Sequence, residues 1–185
     1  MRMNKLMPWV LGISVWAWIA GAAAQNIPKE THWVARKHIN NGLQDMAEKK
    51  YYWAKKEFEF VMRMQHDSGL KCVAFLNHGV INYIEGNIDQ AISDYKSAIR
   101  FKPDYAEAYF NLGSVYYKRG NFKGAEEAYL KAIQLQPEYG RAHYSLGNVY
   151  LDQRKYDLAE KHANLAAQYG VGYKTLKEKL KSVKR

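Results

Sequence analysis

Between Ala106 and Arg119 the apolar positions Tyr109, Leu112, Gly113 and Tyr116 fall at i, i+3, i+4 and i+7, the spacing of one face of an α-helix. Gly120-Asn121 interrupts the pattern, and both residues tolerate the positive φ that a tight turn between helices requires. A second helix is predicted from Phe122 to Leu135, with Ala125, Ala128, Tyr129 and Ala132 on one side. Small residues there allow close approach of two helices, while the large rings fill the space between neighbouring units. Pro137 cannot continue a helix interior, so it closes this unit and opens the next.

The pattern repeats. Tyr109 to Tyr116 returns 34 residues later as His143 to Tyr150, with Leu112-Gly113 matched by Leu146-Gly147. One period upstream lie Gly79, Gly86-Asn87, Ala91, Tyr95, Ala98 and Pro103. A fainter copy carries Gly42, Tyr51, Ala54, Phe58 and Val61, with Asp45 and His66 at the expected aromatic and proline, and an insertion of about three residues near Ser68-Gly69-Leu70. The last copy keeps Gly147, Tyr156 and Ala159. Arg154 stands there at the turn glycine, Ala163 at the aromatic, and the closing proline is absent. A period of this length means stacked copies of one small unit, and about three copies are needed before the apolar sides are covered.

These motifs resemble the tetratricopeptide repeat, a helix-turn-helix unit of this length. The resemblance covers Ala35 to Tyr169 and implies an all-α, right-handed superhelical solenoid of about four units, at 35–68, 72–105, 106–139 and 140–169. Residues 25–34 form a lead-in. Residues 170–185, set off by Gly170 and Gly172, form a basic amphipathic capping helix with Tyr173, Leu176, Leu180 and Val183 on its apolar side. Solenoid ends need such a polar outer face.

The N-terminus sets the compartment. Arg2 and Lys5 precede an acid-free apolar run from Leu6 to Ala20 and the small residues Gly21-Ala22-Ala23-Ala24, which describes a bacterial signal peptide cleaved before Gln25. The expected destination is the periplasm. An uncleaved inner-membrane anchor is the alternative, since Leu6 to Ala24 is an uncharged stretch long enough to span a bilayer. Cleavage removes two bases and no acid, so the net charge falls from +10 to +8. That balance favours acidic partners or anionic headgroups. Nucleic acid is not expected as a partner, because no recognised binding module is present.

Candidate chemistry is sparse. Cys72 is the single cysteine, which excludes an internal disulfide and a Cys-x-x-Cys site. The six histidines (His32, His38, His66, His78, His143 and His162) show no metal-ligand spacing, and His78 and His143 occupy motif packing positions. There is no nucleophile elbow or phosphate loop, and neighbouring acids such as Glu126-Glu127 point different ways around a helix. Neither enzyme activity, nor a cofactor, nor a metal is expected. Most of the tyrosines of interest, Tyr95, Tyr109, Tyr116, Tyr129, Tyr150 and Tyr156, are assigned to packing.

The resemblance implies instead that the first helix of each unit lines a concave groove. Two residues before each motif glycine stand Asn40, Asn77, Asn111 and Ser145, and amides there can hydrogen-bond an extended peptide backbone. Leu76, Phe110 and Tyr144 precede that row, Ser114 and Asn148 follow the glycine, and Tyr83, Tyr117 and Lys118 lie a turn further on. The cation needed to clamp a C-terminal carboxylate is missing from the apolar row, although Lys118 and Arg141 favour acidic ligands. The expected role is a non-enzymatic scaffold holding a peptide segment or partner domain during assembly of a cell-envelope complex. Two alternatives are an adaptor to anionic membrane or polymer through the basic tail, and self-association through an exposed solenoid end.

Overall fold

The computed structural model describes residues 29–65, 68–172 and 174–183. The expected signal segment 1–24, along with His66, Tyr173, Lys184 and Arg185, lies outside the described residues. Among the described residues the chain forms helices and no strand. The helices are α1 (Lys29–Ala47), α2 (Tyr51–Arg63), α3 (Ser68–Ile84), α4 (Ile88–Phe101), α5 (Ala106–Lys118), α6 (Phe122–Leu135), α7 (Gly140–Asp152), α8 (Tyr156–Gln168) and α9 (Lys174–Val183). Successive helices pack on one another, so α1–α2, α3–α4, α5–α6 and α7–α8 make four hairpins in one stack.

The motif glycines explain each hairpin. A Cβ on Gly113 would stand 2.7 Å from Tyr129 Cε1, one on Gly79 would stand 2.8 Å from Tyr95 Cε1, and one on Gly42 would stand 2.6 Å from Phe58 Cε1. The three rings are almost fully buried, so they cannot swing away from a larger residue. Close approach at glycine lets the ring of the second helix lie flat on the first. Each core is then shared with the next hairpin: Phe58 and Val61 pack with Ala74 and Ile81, and Tyr95 and Ala98 pack with Ala108 and Val115.

The fourth hairpin solves the same problem differently. Ala163 occupies the position of Tyr129 and would leave a hole over Gly147. Leu176 of α9 fills it, with Cδ2 2.7 Å from where a Gly147 Cβ would be. Leu176 is 0% and Leu180 3% exposed, in one cluster with Leu146, Ala159 and Ala163. The capping helix therefore supplies the residue that the degenerate repeat lacks. Val183, expected on the same apolar side, is 47% exposed.

Turn geometry follows the sequence where glycine is present and resists it elsewhere. Gly86 and Gly120 have φ of 83° and 74°, whereas Lys49 and Arg154 hold the left-handed conformation at 59° and 60° without the freedom of glycine. Two boundaries also differ from the sequence pattern. The first helix begins at Lys29, inside the expected lead-in. The residues 68–70, read as an insertion, form the first turn of α3, which is 17 residues long, and Leu70 packs on the core of the first hairpin.

Candidate functional site

The first helices of the hairpins touch one another across the stack, α1 with α3, α3 with α5 and α5 with α7, whereas α2, α4, α6 and α8 make no comparable contact among themselves. Closer spacing on one side bends the stack toward that side. The odd-numbered helices therefore line the inner curve, and residues at matching positions along them face the same groove.

A cleft of about 400 Å³ opens there, lined by Tyr83, Ser114, Tyr117, Lys118, Tyr129, Tyr144, Ser145 and Asn148. Three hairpins contribute to it. Tyr129 Oη donates to Ser114 Oγ at 3.2 Å, and Ser114 Oγ donates to Phe110 O at 3.0 Å, which fixes the floor. Tyr117 Oη donates to Asp152 Oδ2 at 2.6 Å and ties α5 to α7. Burial, then the hydrogen bond to Asp152, pushes the Tyr117 phenol up, so it stays protonated and can donate. Lys118 Nζ lies 4.6 Å from the Tyr83 ring centroid, a cation held on an aromatic face.

Six residues expected in the groove, Tyr83, Ser114, Tyr117, Lys118, Tyr144 and Asn148, thus converge on one cleft. Phe110 and Arg141 form a second cluster: the Phe110 ring packs 5.2 Å from that of Tyr139, and the Arg141 guanidinium lies 5.3 Å from both rings. The amide row is less uniform. Asn40 is exposed on α1, and Asn77 and Asn111 are half-buried. Asn77 donates to Val73 O at 2.9 Å and Asn148 to Tyr144 O at 3.0 Å, so each gives an amide hydrogen to its own helix. Leu76 belongs to the core instead of the groove lining. It is 4% exposed and packs with Tyr95 and Leu112, because its short branched side chain ends where the rings of Phe110 and Tyr144 continue outward. Tyr129, assigned to packing, contributes its hydroxyl to the cleft floor, and Asp152 joins as the partner of Tyr117. The signal for Asp152 is its register, 34 residues after Lys118.

Family models agree with the geometry. A TPR repeat model matches residues 79–120 and 113–153, and a tetratricopeptide repeat model matches 140–169. The chain belongs to the tetratricopeptide repeat family. Its first hairpin lies outside the matched residues yet keeps the Gly42–Phe58 contact, so it continues the tetratricopeptide stack. Among solved structures, MamA is 26% identical with a TM-score of 0.66, covering 80% of this chain and 85% of its own. The pilF protein of Pseudomonas aeruginosa (19% identity, TM-score 0.72, 80% and 68% covered) and the Cut9-Hcn1 assembly of APC/C (20%, 0.68, 80% and 29%) share the fold. A comparison with curated protein sequences returns no match.

Polar chemistry elsewhere in the repeats is structural in form. His78 Nδ1 is 2.8 Å from Asp94 Oδ2, Asn82 Nδ2 donates to the same oxygen at 2.8 Å, and Lys55 Nζ donates to Asn82 Oδ1 at 2.9 Å. This network joins the first two hairpins where the third uses Leu112, Ala128 and Tyr116. In the last hairpin His143 Nε2 is 2.9 Å from Pro137 O, and its Nδ1 is 2.9 Å from His162 Nδ1. Among the described residues no group of three or more His, Cys, Asp or Glu is arranged to hold a metal ion.

Proposed function

We propose that this tetratricopeptide repeat protein is an exported, non-enzymatic scaffold that holds an extended peptide segment or partner domain in its groove. In this reading it acts in the periplasm and assists assembly of a cell-envelope complex. Convergence of Tyr83, Tyr117 and Tyr144 from three successive hairpins on one open cleft carries the reading. Rings preset by the stack offer apolar contact at low entropic cost, and Ser145, Asn148 and Lys118 beside them fix a backbone or a carboxylate. Buried anchors of this type contribute about 2 kcal/mol or more each. A Tyr117→Ala/Tyr144→Ala chain is therefore expected to recover its partners from a cell-envelope extract at least tenfold less well than wild type. The matched Asn77→Ala/Asn111→Ala chain tests the amide row. Equal recovery by wild type and the tyrosine variant would sink the groove assignment.

The alternative route, through the basic tail, rests on its charges and on Val183, since Leu176 and Leu180 are buried in the cap.

A further inference from the structure

Among the described residues, five of the nine exposed large hydrophobics, Trp33, Leu43, Tyr52, Trp53 and Phe60, lie on α1 and α2. The second and third hairpins treat the same positions differently. With Ala54, Ala91 and Ala125 in register, Tyr52 corresponds to Asp89 and Lys123, Trp53 to Gln90 and Gly124, and Phe60 to Ser97 and Lys131. The first hairpin thus replaces polar surface on α2 with aromatic rings, two of them more than 60% exposed, and carries the equally exposed Trp33 on α1. Cations accompany them: Lys37 Nζ is 5.6 Å from the Trp33 ring centroid and Lys56 Nζ 5.7 Å from that of Tyr52. Residues 29–65 carry eight bases against five acids. The Tyr52 and Trp53 rings lie 5.1 Å apart, and Phe60 follows Trp53 at i+7 on the same side of α2. All these rings share a single level of the stack. Helices pack about 8–10 Å apart, so one hairpin layer is comparable to the depth of about 5–10 Å to which interfacial apolar faces sink into a bilayer.

We infer that the first hairpin is a foot that seats end-on on a bilayer containing anionic phospholipid, with the stack rising away from it. Trp and Tyr favour the membrane–water boundary because each has an apolar body and a polar tip. Lysines on the same level attract anionic headgroups. The uncharged run Leu6 to Ala24 ends only four residues before α1 begins, which brings this hairpin to the bilayer wherever that run is embedded. Among the described residues no helix is long and apolar enough to cross a membrane, so the contact is with the surface.

The test uses the full chain with Trp9→Phe, Trp16→Phe and Trp18→Phe, in which Trp33 and Trp53 are the remaining tryptophans. It is reconstituted with phosphatidylcholine–phosphatidylglycerol vesicles carrying bromine high on the acyl chains. Tryptophan emission is expected to fall at least twofold relative to unbrominated vesicles. Lys37→Glu/Lys49→Glu/Lys56→Glu should restore it, while Lys177→Glu/Lys179→Glu/Lys181→Glu on α9 should not, with far-UV dichroism unchanged throughout. Undiminished emission overturns the proposal. So does quenching abolished only by the α9 reversal, or a concentration-dependent blue shift without vesicles, which would place a second copy on the foot. Groove variants leave the quenching unchanged, which keeps this result separate from the peptide-binding reading.

Discussion

Leu176→Ala tests whether the capping helix completes the last repeat. The substitution removes three carbons from a side chain that is 0% exposed and wedged between Gly147 and Ala163. Transfer of the lost groups contributes about 2 kcal/mol, and a cavity term is added because neither glycine nor alanine can collapse into the gap. A loss of about 3 kcal/mol follows. A repeat stack responds locally, so hydrogen exchange should accelerate in α7, α8 and α9 while α3 and α4 keep their protection. Ala163→Tyr supplies the sharper readout. With Leu176 present, the new ring competes for an occupied site and costs about 1–3 kcal/mol through overpacking. In the Leu176→Ala background the same ring lies over Gly147 as Tyr129 lies over Gly113, and it should recover at least 1 kcal/mol. Denaturant midpoints for the four chains give the coupling energy. A Leu176→Ala cost below 1 kcal/mol, or an Ala163→Tyr effect of the same sign in both backgrounds, would refute the reasoning.

Two further perturbations address the same hairpins. Burial first, then the His143 and Lys161 charges, lowers the His162 pKa from its ordinary 6.5 to about 4. A histidine kept neutral in the fold stabilises it fully above pH 6.5, and the contribution is lost as pH falls from 6.5 toward 4. At about 1.4 kcal/mol per unit, reduced for screening by nearby water, the loss is about 1–2 kcal/mol. Urea midpoints measured between pH 7 and pH 4 should flatten in His162→Ala, and an unchanged slope would contradict the assignment. At the turn, Arg154→Gly relieves a left-handed residue at φ 60°. Relief of about 1–2 kcal/mol, less the extra backbone entropy of glycine, leaves a gain of about 0.5–1 kcal/mol, and thermal melting that shows no gain would argue against strain there.

The stack was legible because close approach demands glycine at a fixed interval. Gly79, Gly113 and Gly147 recur every 34 residues, and the rings over the first two, Tyr95 and Tyr129, recur with them. The sequence also marked α9 as a cap. It could not say which hole Leu176 fills, since that contact joins a residue to the glycine 29 positions earlier with no periodic trace. The His78–Asn82–Asp94 network escaped for a related reason: register assigns apolar packing to those positions, and the buried polar set satisfies itself through Lys55 of the preceding hairpin. In the groove, register brought Tyr83, Tyr117 and Tyr144 together. Side-chain length decided that Leu76, in line with Phe110 and Tyr144, would stop at the core.

The two ends of the stack are treated oppositely, and that asymmetry bears on how the molecule is used. The C-terminal end is closed: α9 covers the last hairpin with two buried leucines and turns the exposed Lys179 and Lys181 to water. The N-terminal end keeps Trp53 and Phe60 exposed. Each hairpin contacts mainly its neighbours, so strain or occupancy at one end decays along the chain instead of redistributing through a single core. The cleft at Tyr117 draws on the second, third and fourth hairpins through Tyr83, Tyr117 and Tyr144, and no residue of the first hairpin lines it. Groove and foot are therefore thermodynamically separable surfaces, and one chain can present a captured segment at a fixed height above whatever covers its first hairpin.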